Sequence, residues 1–175
     1  TNIDNPDKNY YKRVVTGAVR GVDYIASLSQ WDGKTIGVTG ASQGGFLSLA
    51  VAALDKRITF LGVVHDAMCD YSAEVHGVAG GWPHYFYKNT DKSLKVKVDA
   101  SMYYDGVNFA RRINVPGWYS FGYNDEVVPP TSSYGLYNIV TAPKKLSVYQ
   151  QTGHYWYQEQ WDEWQNYIKE HLNVK

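Results

Sequence analysis

Residues 34–54 read KTIGVTGASQGGFLSLAVAAL. The β-branched run at 35–39 is typical of a buried strand in a parallel sheet, and the apolar run at 46–54 is typical of a helix. Between them, GASQG at 40–44 fits the pattern G-x-S-x-G of a nucleophile elbow, a sharp strand-to-helix turn whose small residues let the two elements approach closely. The stretch therefore predicts that Ser42 is a nucleophile, with an ordinary glycine-rich turn as the alternative.

The predicted helix after this turn would point its N-terminus towards the serine. The first backbone N–H groups of a helix have no partner inside it, and the helix dipole is positive at that end. During acyl transfer, negative charge develops on the carbonyl oxygen beside the attacking serine, and N–H donors stabilise that charge. The stretch is thus suited to nucleophilic hydrolysis of an acyl group.

The composition is ordinary for a soluble globular protein, with 44% hydrophobic and 19% charged residues among 175. The formal net charge of zero argues against a nucleic-acid or membrane-surface partner. No apolar run approaches the roughly 18 residues that cross a bilayer. The single cysteine, Cys69, excludes an internal disulfide, is interpreted as a buried and inert thiol, and leaves the compartment open.

Helical and strand patterns alternate along most of the chain, which predicts a parallel α/β sheet with flanking helices. The predicted helices are 10–28, 46–54, 105–113, 131–140 and 155–172, and the predicted strands are 35–39, 58–64, 115–122 and 145–149. We interpret residues 1–175 as a single catalytic domain.

An irregular aromatic insertion spans about 67–104. A lid or a substrate-shaping segment is expected there, with short helices that cover the sheet edge as the alternative. Its Trp82, His84 and Tyr85 are the candidate substrate-binding residues. With 16 Tyr and 6 Trp, the chain is 15% aromatic, which is compatible with a sugar ligand, although packing is the default explanation.

Two loops offer partners for the serine, which needs a base to take its proton and a carboxylate to orient that base. Asp125 and His154 each lie just beyond the carboxyl end of a predicted strand, as Ser42 does, and parallel sheets place ligands at that edge. The chain order Ser, Asp, His is that of α/β-hydrolases. Glu126 is the alternative carboxylate, and a structural loop histidine is the alternative for His154.

The other histidines are weaker candidates. His65 and Asp66 follow the second predicted core strand and could line the pocket, although structural hydrogen bonding is the favoured interpretation. His76 and His84 lie in the aromatic insertion, where no ligand spacing supports a metal. His171 ends the last helix, where a cation is favourable. We therefore predict neither a metal nor another cofactor.

Several spaced motifs resemble those of the acetyl xylan esterase and cephalosporin-C deacetylase family of carbohydrate esterases. They are GVTGASQGG, YYDGVNFARRINVP, GYNDEVVPP and TGH, preceded by the helix YYKRVVTGAVRGVDYIASLSQW. The resemblance covers nearly all of the chain. It implies an α/β-hydrolase fold and a serine esterase that removes acetyl groups from oligosaccharides. It also implies that Ser42 is the nucleophile, that Asp125 and His154 are its partners, and that the Gln43 N–H is an oxyanion donor.

The chain departs from this family in two respects. Tyr155 follows the histidine where family members commonly have Glu, which affects substrate preference. The family domain is also about twice as long, and its first strands and the tyrosine that gives a second oxyanion donor are absent here. The chain opens with Thr1 and shows no signal-peptide pattern, which predicts a processed chain or a fragment. We therefore expect a complementary N-terminal segment, or self-association, to complete the sheet.

Two other functions are compatible with the sequence. A serine peptidase of the prolyl oligopeptidase type shares the G-x-S-x-G-G elbow and the later Asp and Gly-His loops, but it explains less of the first helix and of YYDGVNFARRINVP. A non-catalytic carbohydrate-binding or structural remnant would explain the short length and the aromatic content.

Overall fold

The computed structural model describes residues 2–87 and 94–172, and helices alternate with strands within them. The helices are α1 (Tyr10–Ser27), α2 (Gln43–Leu54), α3 (Leu94–Ser101), α4 (Gly106–Ala110), α5 (Pro130–Ile139) and α6 (Gln158–Leu172). The strands are β1 (Gly37–Ala41), β2 (Phe60–Val64), β3 (Gly117–Gly122) and β4 (Lys144–Tyr149). Two short 3₁₀ helices cover Tyr71–His76 and Met102–Tyr104.

The four strands form one parallel sheet in the order β1-β2-β3-β4. Ala41 lies beside Val64, Val64 beside Ser120, and Ser120 beside Ser147, so the carboxyl ends of the strands meet at one edge. β2 and β3 are buried along their whole length, whereas β1 is only partly buried and has no strand beyond it in the described part of the chain. The predicted parallel sheet is confirmed, with the elbow strand at its border.

Side chains of β2 contact helices on both faces of the sheet, because successive residues of a strand point to opposite sides. Leu61 and Val63 belong to the core on the side of α2, and Phe60 and Val64 belong to the core on the side of α6. Burial on both faces explains why the β2 sequence is apolar at every position apart from its glycine.

The element boundaries differ from the predicted ones by a few residues. α2 begins at Gln43, three residues before the predicted start, because Ser42 itself occupies the N-cap position and the helix follows at once. α4 ends at Ala110 and not at 113, since the next amides bond three residues back, Arg112 N–H to Phe109 O and Ile113 N–H to Ala110 O. Such tight turns close a helix early.

The described parts of the aromatic insertion contain short helical segments and no strand. The 3₁₀ helix Tyr71–His76 comes first, and α3 follows residues 88–93, which lie outside the described residues. The Asp105 carboxylate accepts hydrogen bonds from the amides of Asp70, Tyr71 and Val107, and so ties the insertion to the first turn of α4. The sequence analysis gave short helices as the alternative to a lid, and short helices are present. A role of the insertion as a lid stays a prediction.

Cys69 is fully buried at the start of this insertion, and burial raises the pKa of its thiol. The prediction of a buried thiol is confirmed. Across the described residues, every helix is too short or too polar to cross a bilayer.

Candidate active site

Ser42 lies at the junction between β1 and α2. Its backbone has φ +56° and ψ −121°, a conformation that is strained for any residue other than glycine. The strain is held by the sheet, because the Ser42 N–H donates to Val64 O of β2 at 2.9 Å. The elbow therefore presents the serine hydroxyl above the carboxyl edge of the sheet.

One of the three elbow glycines is required for space, and a second leaves little room for a side chain. A side chain on Gly40 would come within 2.4 Å of the Gly44 backbone, and one on Gly45 would lie 3.2 Å from Val64 O. Gly44 is different, since a Cβ added there meets nothing within 4 Å. The prediction was that the elbow residues are small so that strand and helix can approach closely, and it is wrong for Gly44. The Cα of Gly44 faces Gly40, whereas an added Cβ would point into open space.

His154 lies between Ser42 and Asp125 in a chain of hydrogen bonds. Its Nε2 is 3.1 Å from Ser42 Oγ, and its Nδ1 is 2.8 Å from Asp125 Oδ2. A carboxylate only accepts hydrogen bonds, so the partners assign the proton to Nδ1 and leave Nε2 free to accept from the serine. Of the two neighbouring carboxyl groups, Asp125 is the one that contacts His154, whereas Glu126 is exposed.

The Asp125 carboxylate is buried but well supplied with donors. Its Oδ1 accepts from the amides of Val127 at 2.9 Å and Val128 at 2.8 Å, and its Oδ2 faces His154. Burial alone would raise the pKa of Asp125, but the side chains of His154 and His65 and the Val128 amide outweigh it and hold the pKa well below its usual value. Asp125 therefore stays ionised at neutral pH.

Gln43 is the first residue of α2 and places its backbone N–H beside Ser42. The first N–H groups of a helix are free of intrahelical bonds, which is the arrangement that an oxyanion donor requires. The Gln43 side chain extends the other way, and its Oε1 lies 3.5 Å from the Tyr11 hydroxyl of α1. The carbonyl of Ser42 accepts from the Ala67 N–H at 3.2 Å, which ties the elbow to the loop after β2.

The three candidate substrate-binding residues all make contacts inside the protein, in part with residues outside the insertion. His84 contacts Glu74 Oε1 at 2.8 Å through Nδ1 and Val127 O at 3.2 Å through Nε2. Trp82 and Tyr85 are partly buried against the core that includes Phe46. The structure thus gives each a packing role, and their contact with a substrate stays a prediction.

A groove of about 580 Å³ lies beside the loop that carries Asp125. Its wall includes His84 and Tyr87 from the insertion and Glu126 and Pro129 from the loop after β3. Glu126, the alternative to Asp125 in the sequence analysis, therefore lines this groove. The remaining two histidines are elsewhere, His76 exposed at the end of its 3₁₀ helix and His171 bonded through Nδ1 to Tyr167 O within α6.

His65 is the residue near this site whose position the sequence prediction undervalued. Its Nδ1 lies 3.3 Å from Asp125 Oδ2. His65 directly follows β2 and therefore lies at the same sheet edge as Ser42, Asp125 and His154. This position after a strand was the feature of the sequence that indicated a place near the site. Potential ligand atoms of His65, Asp125 and His154 all lie within 4.8 Å of one another, but a metal bound there would use the atoms that join His154 to Asp125.

A parallel sheet with a serine elbow, a histidine and a buried carboxylate at its carboxyl edge defines an α/β-hydrolase-type protein. Residues 2–171 match the family model described as acetyl xylan esterase (AXE1), and the chain belongs to this family. The family resemblance of the sequence motifs is confirmed. The serine peptidase alternative is not favoured, because the family match spans nearly the whole chain.

Named relatives agree with this assignment. The acetyl esterase Axe7A of Xylanibacter ruminicola is 46% identical over 143 residues, which are 82% of this chain and 32% of that protein. The acetyl xylan esterase from Paenibacillus sp. R4 superposes with a TM-score of 0.87 at 28% identity, over 97% of this chain and 56% of its own. Acetyl xylan esterase 1 from Thermoanaerobacterium sp. JW/SL YS485 shows the same fold, with a TM-score of 0.84 at 24% identity over 95% of this chain and 55% of its own.

The chain therefore spans about a third of the length of the curated relative and just over half of each solved one. Residues 2–171, which the family model matches, contain the serine elbow and the loops that carry Asp125 and His154.

Proposed function

We propose that this chain carries the catalytic residues of a serine esterase that removes acetyl groups from oligosaccharides. The observation that carries the proposal is the hydrogen-bond chain from Ser42 Oγ through the His154 ring to Asp125, with distances of 3.1 and 2.8 Å. Membership of the acetyl xylan esterase family supports the acetyl ester as the bond that is cleaved.

Acylation would begin when Ser42 Oγ attacks the acetyl carbonyl carbon and His154 Nε2 takes the serine proton. The carbonyl oxygen becomes an oxyanion and accepts from the Gln43 N–H. As the intermediate collapses, the bond from the acetyl carbon to the sugar oxygen breaks, and His154 gives its proton to that oxygen. The products of this half are the deacetylated sugar and acetyl-Ser42.

Deacylation repeats these steps with water. His154 Nε2 takes a proton from the water, whose oxygen attacks the acetyl carbon of acetyl-Ser42. Collapse returns that proton to Ser42 Oγ and releases acetic acid, which keeps the second proton of the water and ionises to acetate in solution. Asp125 remains a carboxylate throughout, and it stabilises the imidazolium that forms in each half.

The substrate we propose is an acetylated oligosaccharide bound along the aromatic insertion. His84, with Tyr87, lines the groove that reaches the loop of Asp125. Aromatic side chains stack on the apolar faces of sugar rings, which gives Trp82 and Tyr85 a second use beside packing. Tyr155, which directly follows His154 and is exposed, is a further position at which preference among sugars would be set.

The test of this function is the comparison of three substrates, together with one covalent probe. We expect p-nitrophenyl acetate and acetylated xylo-oligosaccharides to be turned over in preference to a dipeptide amide. A fluorophosphonate probe should label Ser42, identified by mass spectrometry of the labelled peptide. Preferred cleavage of the amide would assign the peptidase function, and absence of labelling in a protein that folds would favour a non-catalytic remnant.

Hydrolysis should fall on acidification. A protonated His154 cannot accept the Ser42 proton, so the reaction requires the neutral imidazole. The Asp125 pKa is held well below its usual value, so Asp125 stays ionised where the rate falls. The measurement is kcat/KM for p-nitrophenyl acetate between about pH 5 and 8. A flat profile over this range would remove His154 from the role of base.

We also propose that a further segment covers the outer edge of β1, and we assign this role to a complementary N-terminal segment of the kind that the longer relatives contain. β1 is partly exposed and has no neighbour on its outer side among the described residues. An apolar groove of about 620 Å³ lies along it, with Val22 and Ile25 of α1, Val38 of β1 and Leu47 of α2 in its wall. Solved relatives that share the fold are nearly twice as long.

The 175-residue chain by itself should therefore associate or hydrolyse esters slowly. An open strand edge beside an apolar groove favours pairing with another chain. Light scattering should show species larger than one chain. Adding the complementary segment should convert them to a complex of one chain with one segment, and it should raise the rate of ester hydrolysis. A monomer free of partners that deacetylates xylo-oligosaccharides at an ordinary rate of about 10 per second would contradict the proposal.

A further inference from the structure

His65 is a buried imidazole that lies outside the Ser42–His154–Asp125 chain. Its side chain is 3% exposed, and neither ring nitrogen makes a hydrogen bond of good geometry to any described residue. Buried polar groups in native proteins are nearly always paired, so such a group needs an explanation. The polar group that faces it is the Asp125 carboxylate, whose Oδ2 is 3.3 Å from His65 Nδ1.

The backbone holds His65 in an uncommon conformation. Its φ of +47° lies in the left-handed region, which costs free energy for a residue with a Cβ. The sheet maintains it, because the His65 N–H donates to Ser120 O of β3 at 2.9 Å. Strain of this kind is found at functional sites, and here it directs a side chain at the end of β2 towards the residue that follows β3.

Asp125 Oδ2 lies between two imidazole rings. His154 Nδ1 approaches it at 2.8 Å and His65 Nδ1 at 3.3 Å, and the two ring centroids are 5.3 Å apart. Trp156 lies edge-on to the His65 ring at 6.4 Å on another side. The other oxygen, Oδ1, is fixed by the amides of Val127 and Val128. A carboxylate oxygen has lone pairs for two donors, so Asp125 Oδ2 can face the Nδ1–H groups of both His65 and His154 at the same time.

We propose that His65 is a positioning residue for the esterase reaction, whose Nδ1 faces Asp125 Oδ2 at 3.3 Å and so helps to hold the carboxylate in the orientation that His154 needs. The inference rests on the proposed function, because it acts through the same hydrogen-bond chain. His154 must deliver a proton first to the sugar oxygen and later to Ser42, and its ring shifts between these partners. A second donor on Oδ2 keeps the carboxylate in place while the first one moves.

The central test compares His65→Asn with His65→Gln. The amide nitrogen of Asn lies near the place of Nδ1, whereas that of Gln lies near the place of Nε2. We expect His65→Gln to lower kcat for p-nitrophenyl acetate by about 10- to 100-fold, a loss of the size seen when metal-ligating side chains lose a hydrogen-bond partner, with KM nearly unchanged. His65→Asn should recover most of that loss. Rates are divided by the number of sites that a fluorophosphonate probe labels, so that unfolded protein does not count.

His171→Gln is the matched control. The His171 ring packs against the rings of Phe60 and Tyr167 at centroid distances of 4.9 and 4.3 Å, and its Nδ1 bonds to Tyr167 O. None of these contacts involves Asp125. We expect its replacement to change thermal stability but not kcat per labelled site. Equal losses in His65→Gln and His171→Gln would overturn the proposal.

A double-mutant cycle separates positioning from packing. If His65 acts through the carboxylate, then adding His65→Gln to Asp125→Asn should cost no more than about twofold, since the interaction is already lost. The same 10- to 100-fold loss in both backgrounds, or wild-type kcat in His65→Gln, would sink the inference while leaving the proposed function intact. Failure of the proposed function has a different signature, which is full hydrolysis by Ser42→Ala.

Discussion

Replacing Ser42 with alanine should lower kcat for acetyl-ester hydrolysis by about 10⁶, the loss that follows removal of the serine from hydrolases that use the same three groups. His154 Nε2, 3.1 Å from Ser42 Oγ, would have no serine proton to take, and no acyl-enzyme could form. Only the N–H donors at the start of α2 and the binding of the substrate would still assist attack by water. The measurement is release of p-nitrophenol by the purified variant, with loss of fluorophosphonate labelling as a second readout.

Ser48→Ala is the matched control for this variant. Ser48 is a buried serine of α2, the helix that follows Ser42, and its Oγ donates to Gly44 O at 2.8 Å and not to His154. We expect it to retain labelling and a rate close to that of the unchanged protein. Undiminished hydrolysis by Ser42→Ala would show that Ser42 is not the nucleophile.

Asp125→Asn should lower kcat by about 10⁴, the cost of this change in the serine proteases. The geometry gives the reason. Oδ1 accepts from two backbone amides, Val127 N–H and Val128 N–H, so the oxygen of an asparagine would take that place. Its NH₂ group would then face His154 Nδ1, which could meet it only as an acceptor. The proton would move to Nε2, and the ring could no longer accept the proton of Ser42.

Glu126→Gln is the control for Asp125→Asn, because it makes the same chemical change one residue along. Glu126 is exposed and lines the groove beside His84, so we expect a change in KM for oligosaccharides and little change in kcat for p-nitrophenyl acetate. The comparison is made on steady-state kinetics of all three proteins at one pH. Equal losses in kcat would mean that the orienting carboxylate is assigned to the wrong residue.

The alternation of helices and strands was predictable because each element has its own period of apolar residues. The apolar run of β2 corresponds to a strand that is buried on both faces, and the mostly apolar residues 46–54 correspond to a helix whose central part is buried. Boundaries were less predictable, since they depend on local hydrogen bonds that composition does not show. α4 is an example, because turns that follow Ala110 end it early although the sequence remains compatible with a helix.

The sequence was sufficient to predict which three loops form the candidate site. A serine elbow, an aspartate and a histidine each follow a strand, and parallel strands bring their carboxyl ends to one edge. The direction of the His65 side chain was not predictable in this way, although His65 also follows a strand. A left-handed backbone and a carboxylate that arrives from the next strand determine the direction of its side chain.

The sequence by itself determined the class of the sheet, the position of the elbow and the order of Ser42, Asp125 and His154, because these depend on periodicity and on residue types along the chain. The tertiary structure decided which carboxyl group faces His154. Asp125 and Glu126 are neighbours of the same chemistry, and only the amides of Val127 and Val128, together with burial under the sheet edge, distinguish them. Such a choice depends on distances between residues 29 positions apart in the chain, which no local pattern specifies.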